Sequence, residues 1–308
     1  MPIEATKKIW MDGEFVNWED AKVHVLTHSL HYGMGVFEGI RAYQTPSGTA
    51  VFRLVDHINR LYDSAHILSI KVPFEKEQLI KATLELVKVN ELTSCYIRPI
   101  VFLGYGEMGL NPLNCEVKVA IAAWPWGTYL GESGLNNGIR VKISSWRRHE
   151  PNIMPGASKA TALYLNSALA KVEALKAGYD EAVLLNSQGY VSEGTGENIF
   201  VVKDGVLYTP PSSLGTALEG ITQKTIITLA NDMGLNVERT TLIRTDLYLA
   251  DEVFFTGTAA EVVPINSVDD RQVGDGKPGR ITKALQEMYF KVVKGQEDKY
   301  KDWLDYVS

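Results

Sequence analysis

A segment rich in glycine, proline and aromatic residues interrupts the chain at residues 124–138, beginning Trp124-Pro125-Trp126-Gly127. It has neither helical nor strand periodicity, which is typical of a crossing between domains. The length of 308 residues is sufficient for a hydrophobic core on each side. We therefore predict a small N-terminal α/β domain over residues 1–123, an interdomain loop over 124–138 and a large C-terminal domain over 139–308. The aromatic residues of the loop would suit a pocket wall.

Residues 1–123 carry the pattern of a small sheet with two helices, an α+β arrangement. Asp12-Gly13 is a hairpin turn signal between two short strand patterns. One helix is expected to begin at Asp56 as its N-cap. The remaining signals are a second helix and three strands, over residues 74–90, 50–54, 95–102 and 117–122.

Residues 139–308 alternate strand and helix patterns. A helix is predicted over 161–177, because apolar residues recur there at helical spacing, namely Leu165, Ala168, Leu169, Val172 and Leu175. Asp204-Gly205 predicts a hairpin, and Gly220 is expected to open another helix. A buried strand over 252–255 leads into a Gly-Thr-Ala-Ala turn. The polar tail over 295–308 is expected to be peripheral.

Composition excludes several classes of function. The formal net charge of −6 gives no basic face for nucleic acid or an anionic membrane. No apolar stretch reaches the length of a membrane span, and the N-terminal residues lack the apolar core of a signal peptide, so we predict a cytoplasmic protein. The two cysteines, Cys95 and Cys115, and the six histidines show no metal-ligand spacing, so no metal is predicted.

Two residues could carry chemistry together. Lys159 lies in a run of small residues, Gly156-Ala157-Ser158-Lys159-Ala160, and Glu193 lies in Ser192-Glu193-Gly194-Thr195-Gly196-Glu197-Asn198. A pyridoxal 5′-phosphate (PLP) site needs a lysine that bonds to the aldehyde and an acid that partners the ring nitrogen. The glycines at 194 and 196 indicate a close backbone approach or a positive φ. A solvated lysine and an ordinary tight turn would leave the same pattern.

Three further features would suit a bound anion. Gly220 before a helix exposes backbone N–H groups at the positive end of the helix dipole, and Thr222 adds a hydroxyl. Thr258 follows a buried strand with successive amides, and Arg60 could bind a phosphate through two nitrogens. Tyr164, five residues after Lys159, could donate to a phenolate oxygen. Ordinary capped helices and a surface arginine are the alternatives.

Taken in their order along the chain, these segments resemble the fold-type IV PLP-dependent enzymes and, within them, the branched-chain amino-acid aminotransferases. The similarity covers nearly the whole chain. It rests on these segments: Trp18 to Val25, His31-Tyr32-Gly33, Val36-Phe37-Glu38-Gly39-Ile40-Arg41, Tyr96-Ile97-Arg98-Pro99, Ser192 to Phe200, Gly220-Ile221-Thr222, Asp246 to Glu252 and Gly257 to Glu261. The chain departs from the family pattern at Gln223, where a basic residue is usual.

The resemblance implies an α+β fold of two domains, a small α/β sandwich domain and a larger, PLP-binding pseudo-barrel domain. It implies that Lys159 bonds to the cofactor and transfers the proton, that Glu193 holds the pyridinium nitrogen and that Tyr164 bonds to the ring O3′. The phosphate would be held by Arg60, Ile221, Thr222 and Thr258, with Leu218 packed on the ring.

The resemblance also implies a pocket that accepts both apolar side chains and the γ-carboxylate of glutamate. Its substrate-binding residues would be Tyr32, Phe37, Gly39, Tyr96, Arg98, Met108, Leu110, Trp126, Tyr129, Thr258 and Ala259. Arg98 and Tyr96 would meet the carboxylate at the rim, because an arginine deep in an apolar pocket would be left unpaired and desolvated. A loop over 106–110 would close the pocket of a neighbouring subunit. This implies a homodimer at least. A hexamer built as a trimer of dimers is the alternative.

The reaction that the resemblance implies is a ping-pong transamination. Valine, leucine or isoleucine would pass an amino group to 2-oxoglutarate, giving 2-oxo acids and L-glutamate. Two alternatives share the fold, a D-amino-acid aminotransferase and an aminodeoxychorismate lyase. A non-catalytic binding module on the same fold is a third.

Overall fold

The computed structural model describes residues 3–127, 130–214 and 216–307, and these residues form two compact units. The first unit contains residues 3–127, 158–162 and 292–307, and the second contains 130–157, 163–214 and 216–291. The predicted substrate residue Tyr129 lies outside the described residues. Within the described part of the chain, no helix combines the length and the apolar character that crossing a membrane requires.

The first unit is built on a sheet in the order β17-β5-β4-β6-β7-β1-β2, with β3 beside β6. Its strands are β1 (Lys8–Met11), β2 (Glu14–Asn17), β3 (Gly35–Phe37), β4 (Ile40–Thr45), β5 (Gly48–Phe52), β6 (Cys95–Leu103), β7 (Val117–Trp124) and β17 (Leu304–Tyr306). Its helices are α1 (His28–Tyr32), α2 (Leu54–Ile67) and α3 (Lys76–Val89). The predicted two-helix pattern is confirmed, because α2 and α3 bury Ile58, Leu61, Leu79 and Leu86 completely.

The predicted start of α2 was wrong. The helix begins at Leu54 rather than after Asp56, and Arg53 is its N-cap residue at φ +55°. The backbone N–H of Arg53 donates to the carbonyl of Trp303 at 2.7 Å, and its guanidinium lies 4.7 Å from the Trp303 ring. A contact to a residue 250 positions away therefore sets the start of this helix.

Two segments that we predicted within the C-terminal domain belong to the first unit. Strand β17 pairs antiparallel with β5, and Tyr300 and Leu304 are buried, so the tail is part of the sheet and not peripheral. The segment 158–162 runs antiparallel beside β3, through the pair Val36 and Ala160. Both segments are placed by pairing with strands far away in the sequence.

The second unit is built on a mixed sheet in the order β10-β9-β8-β15-β14-β11-β12-β13, with β16 beside β15. Its strands are β8 (Ile139–Arg147), β9 (Glu181–Leu185), β10 (Val191–Gly194), β11 (Asn198–Lys203), β12 (Val206–Thr209), β13 (Val237–Arg239), β14 (Glu252–Gly257), β15 (Glu261–Val268) and β16 (Arg271–Gln272). Its helices are α4 (Gly131–Asn137), α5 (Tyr164–Lys176), α6 (Ile221–Asp232), α7 (Arg244–Tyr248) and α8 (Arg280–Val293). Short 3₁₀ helices occur in both units, at Trp18–Asp20, Thr161–Leu163, Ser212–Leu214 and Asp298–Trp303.

The structure confirms the turn and the helix start that the sequence predicted from glycine positions in this unit. The hairpin of β11 and β12 turns at Asp204 and Gly205, which both have positive φ, and α6 begins directly after Gly220. The apolar spacing in α5 was misleading, because Leu165, Leu169, Val172 and Leu175 are exposed. Asn166, Ser167, Ala170 and Ala174 face inward instead.

Candidate active site

Lys159 is held in the first unit by its backbone. Its N–H donates to the hydroxyl of Ser64 on α2 at 3.0 Å, and its carbonyl accepts from the N–H of Phe37 at 3.1 Å. The Lys159 ammonium lies 5.1 Å from the centre of the Phe37 ring. The side chain is half-buried, and both ends of the residue are fixed by packed elements. The amine therefore projects from a backbone that is held in place, as an amine nucleophile requires.

Arg60 is oriented by a buried carboxylate on the same unit. Its Nε and Nη2 donate to the two oxygens of Glu38 at 2.7 and 2.9 Å, and His57 Nδ1 lies 2.7 Å from Glu38 Oε2. Burial opposes the ionisation of Glu38, but the Arg60 guanidinium and His57 hold the pKa of Glu38 well below its ordinary value. Burial lowers the pKa of His57. This group fixes the guanidinium fork of Arg60.

Arg98 packs between two aromatic rings near Lys159. Its guanidinium carbon lies 4.7 Å from the centre of the Phe37 ring and 5.2 Å from that of Tyr96. Its Nη2 donates to the Tyr96 hydroxyl at 3.1 Å, and its buried Nε has no hydrogen-bond partner among the described residues. The amine of Lys159 and the guanidinium of Arg98 therefore both lie against the ring of Phe37.

Gly39 and Trp126 complete this aromatic cluster. A Cβ atom at Gly39 would overlap the hydroxyl of Tyr96, so only glycine fits there. The Trp126 ring meets the Tyr96 ring edge-on at 4.3 Å, and Arg41 Nη2 donates to the carbonyl of Gly127 at 2.6 Å beside it. Tyr96 is only 4% exposed, so it lies inside the cluster and not at the rim that we predicted.

Three predicted substrate residues are exposed on the surface of the single chain. Tyr32, Met108 and Leu110 are 39%, 48% and 86% exposed. Tyr32 packs on the ring of His28, whose Nε2 lies 2.9 Å from the carbonyl of Gly109. These contacts tie α1 to the loop over residues 105–113 in one surface.

Glu193 lies on β10 in the second unit, next to a bulge in its pairing with β9. Its Oε2 accepts from the N–H of Leu218 at 3.2 Å, and its Oε1 lies 2.9 Å from Nε of Arg148. Leu218 is held in turn, because its carbonyl accepts from the amide of Asn198 at 2.8 Å. The carboxylate is therefore positioned by the residue that follows β8, by β11 and by the segment before α6.

The two glycines after Glu193 differ from each other, and neither has a positive φ. A Cβ at Gly194 would lie 2.7 Å from Oε2 of Glu197 and 3.0 Å from the Phe255 ring, whereas a Cβ at Gly196 would meet open space. Close approach is therefore confirmed only for Gly194. Glu197 is buried, and burial together with the carboxylate of Glu181 raises its pKa to about 8.

The N-terminus of α6 has the form of an anion site. Gly220 is its N-cap residue, and no side chain caps the helix. A Cβ at Gly220 would overlap Oδ1 of Asn198, so this position requires glycine. The first N–H groups of an α-helix have no partner within the helix, so those of Ile221 and Thr222 are suited to a phosphate.

The remaining predicted residues of the second unit lie at element ends. Thr258 and Ala259 form the turn between β14 and β15 and are half-buried, and Tyr164 is the first residue of α5. Gln223, where the chain departs from the family pattern, is buried and donates to the hydroxyl of Thr209 at 3.0 Å. Its role is therefore in packing.

These residues fit the chemical groups of PLP. In the first unit, the Lys159 amine suits the aldehyde and the Arg60 guanidinium suits the phosphate. In the second unit, the Glu193 carboxylate suits the ring nitrogen and the uncapped N-terminus of α6 suits the phosphate. Sequence reasoning did not identify Glu38, Arg148 and Asn198. These residues hold Arg60, Glu193 and Leu218 in place. The quoted motifs contained Glu38 and Asn198, but nothing in the sequence named their partners.

Comparison with known proteins defines the class. The family Amino-transferase class IV matches residues 35–268, so the chain belongs to this family of aminotransferases. It is 51% identical over 295 residues to a branched-chain-amino-acid aminotransferase of Pseudomonas aeruginosa, with 96% of this chain and 95% of that protein covered.

Two solved structures are similar over nearly the whole chain. The Escherichia coli branched-chain amino acid aminotransferase has a TM-score of 0.96 at 50% identity and covers 98% of this chain and 100% of its own. The T.th. branched-chain amino acid aminotransferase, solved with N-(5′-phosphopyridoxyl)-L-glutamate, has a TM-score of 0.94 at 48% identity and covers 98% of this chain and 99% of its own. The predicted family and fold class are confirmed, and the roles of individual residues stay predictions.

Proposed function

We propose that the protein is a PLP-dependent transaminase that exchanges amino groups between branched-chain L-amino acids and 2-oxoglutarate. The observation that carries this is the packing of Arg98 on Phe37 and Tyr96 beside Lys159. The relative solved with a phosphopyridoxyl-glutamate adduct supports glutamate as one substrate of this chain.

Arg98 explains how one pocket takes two kinds of side chain. A desolvated guanidinium without an anion is costly, but two aromatic faces and the Tyr96 hydroxyl offset part of that cost. The Arg98 guanidinium would bind the γ-carboxylate of glutamate. When a leucine side chain enters instead, the Phe37 ring offers it an apolar contact.

The bound cofactor supplies an aldehyde for the amino group and a ring that withdraws electrons from Cα. Lys159 Nζ would carry a proton from Cα of the donor amino acid to the cofactor and, in the second half-reaction, from the cofactor to Cα of the new L-glutamate. Glu193 would accept a hydrogen bond from the ring nitrogen. Tyr164 would donate to the ring oxygen, and Leu218 would pack against the ring. Arg60, the Ile221 and Thr222 amides and Thr258 would hold the phosphate.

The pocket also has to orient the substrate. The amides of Thr258 and Ala259 would bind the α-carboxylate, and Gly39 leaves room for the Tyr96 hydroxyl. Each 2-oxo acid leaves before the second substrate binds, so the kinetics are ping-pong. The cytoplasmic location rests on the sequence.

A substrate panel tests the proposal. With PLP present, L-leucine, L-valine and L-isoleucine should each yield L-glutamate from 2-oxoglutarate, with parallel double-reciprocal plots. Lys159→Ala should lower the rate about 100-fold or more, since it removes the proton-transfer group. Turnover of D-alanine alone would identify a D-amino-acid aminotransferase, and release of pyruvate from aminodeoxychorismate would identify a lyase. No turnover of any of these would favour a binding module.

Arg98→Met tests the dual specificity. It should raise KM for glutamate and 2-oxoglutarate about 10- to 100-fold, because a charge-assisted hydrogen bond is lost, and leave KM for leucine nearly unchanged. The matched control is Arg140→Met, which removes an exposed arginine 5.0 Å from the Tyr179 ring and should change neither. An equal loss for leucine and glutamate would contradict this use of Arg98.

A further inference from the structure

Arg148 makes an unusual set of contacts directly after β8. Its Nη1 donates to Asn166 Oδ1 at 3.1 Å and to Ser167 Oγ at 2.9 Å on the first turn of α5. Its Nη2 donates to the carbonyls of Gly194 and Thr195 at 3.0 and 3.2 Å. Four hydrogen bonds therefore fix the plane of a guanidinium whose side chain is 9% exposed.

The remaining nitrogen of this guanidinium faces the predicted acid. Nε lies 2.9 Å from Glu193 Oε1 as an ion pair, without the alignment of a hydrogen bond. We propose that Arg148 is a positioning residue, which holds the carboxylate of Glu193 in the orientation and the charge state that the ring nitrogen of PLP requires. This rests on the proposed function and adds a residue to its machinery.

The geometry supports an orienting role. Leu218 N–H binds Oε2 of Glu193 and Arg148 lies against Oε1, so both oxygens have a donor group from the second unit. The same guanidinium binds the backbone that follows Glu193. Because it also binds Asn166 and Ser167, two and three residues after Tyr164, it joins β10 to the start of α5.

The charges around Glu193 support an electrostatic role. The negative charges of Glu181 and Glu193 both raise the pKa of the buried Glu197, and Glu181 is paired with Lys171 at 2.6 Å. A positive charge within ion-pair distance of Glu193 favours the ionised form of Glu193 in these acidic surroundings. Lysine could supply the charge, but not a planar fork with five donors.

Neutral and charged variants of Arg148 separate the two roles. R148M and R148Q remove the charge, and R148K retains it without the fork. R147M is the matched control, since the Arg147 side chain is exposed and donates to the carbonyl of Ser187 alone among the described residues. Each protein is loaded with PLP, and borohydride trapping at Lys159 is measured by mass spectrometry. Two further quantities are then measured. They are the pH midpoint of the visible absorbance change of the bound cofactor and the kcat for leucine.

The neutral variants should still trap PLP at Lys159. Their midpoint should move up, because loss of a positive charge favours the protonated form of a nearby group, and kcat should fall about 10- to 100-fold. R148K should keep the wild-type midpoint with an intermediate kcat, and R147M should match the wild type.

The proposal is overturned if the neutral variants show the wild-type midpoint and a kcat within about twofold of it. It is also overturned if R148K has an unchanged kcat, which decides the matter even where the neutral variants do not fold. Failure of the wild type itself to trap PLP or to use leucine would count against the proposed function instead.

Discussion

At the scale of single residues, the stability of the first unit depends on the carboxylate of Glu38. It is fully buried against Arg60 and His57. Glu38→Gln leaves the Arg60 charge without its partner and should lower the free energy of unfolding by about 3 kcal/mol in urea at pH 7. Glu116→Gln, which breaks an exposed pair with Lys118, should cost at most about 1 kcal/mol.

The same pair should respond to acid. Because the folded-state pKa of Glu38 lies below its ordinary 4.5, the pair contributes its full stability above pH 4.5 and loses it as the pH falls below that value. The difference between wild type and E38Q should therefore shrink below pH 4.5. A difference that stays constant down to pH 3 would contradict the ionised pair.

Glu197 should give the opposite pH dependence. Its folded-state pKa of about 8 lies above its ordinary 4.5, so the folded protein binds the extra proton, and stability falls as the pH rises from 4.5 to 8. Glu197→Gln removes this loss, so its Tm relative to wild type should increase between pH 5 and pH 9. Glu238→Gln, at an exposed position, should show no such trend. A constant Tm difference would mean that Glu197 does not hold a proton.

At the scale of elements, the start of α6 depends on one glycine. Gly220→Ala would push a Cβ into Asn198 and disturb its bond to Leu218, which should cost about 1–3 kcal/mol of stability. It should also weaken PLP binding, because the amides of the first turn move. Gly196→Ala meets open space and is the control for both measurements. Equal PLP affinity in the two variants would show that the first turn of α6 does not bind the phosphate of PLP.

Elements with local signals could be predicted, and those placed by distant partners could not. Asp204-Gly205 and Gly220 act on the backbone beside them, so the hairpin and α6 were found. Arg53 depends on Trp303, and Arg148 on residues 166–195, so neither contact could be read from neighbouring residues. The face of α5 was misjudged because small side chains pack inward there.

At the scale of the whole molecule, the exposed apolar surface of α1 and the loop over 105–113 predicts self-association. Leu110 and Leu113 are 86% and 76% exposed, and Val25 and Leu30 are 71% and 64% exposed. Patches of this kind mark protein interfaces. Leu110→Asp combined with Leu113→Asp should shift the protein toward monomer in light scattering. Leu249→Asp, 69% exposed elsewhere, should leave the assembly intact, and an unchanged mass in the double variant would locate the interface on another surface.

Strand β17 sets an order of events during synthesis. The first unit takes its outermost strand from residues 304–306, while the strand beside it, β5, has been made some 250 residues earlier. Domains generally fold as units while the chain emerges from the ribosome. The edge of β5 that β17 covers therefore stays unpaired until residues 304–306 have been made. A chain released before that point has an exposed strand edge, which can pair with other chains.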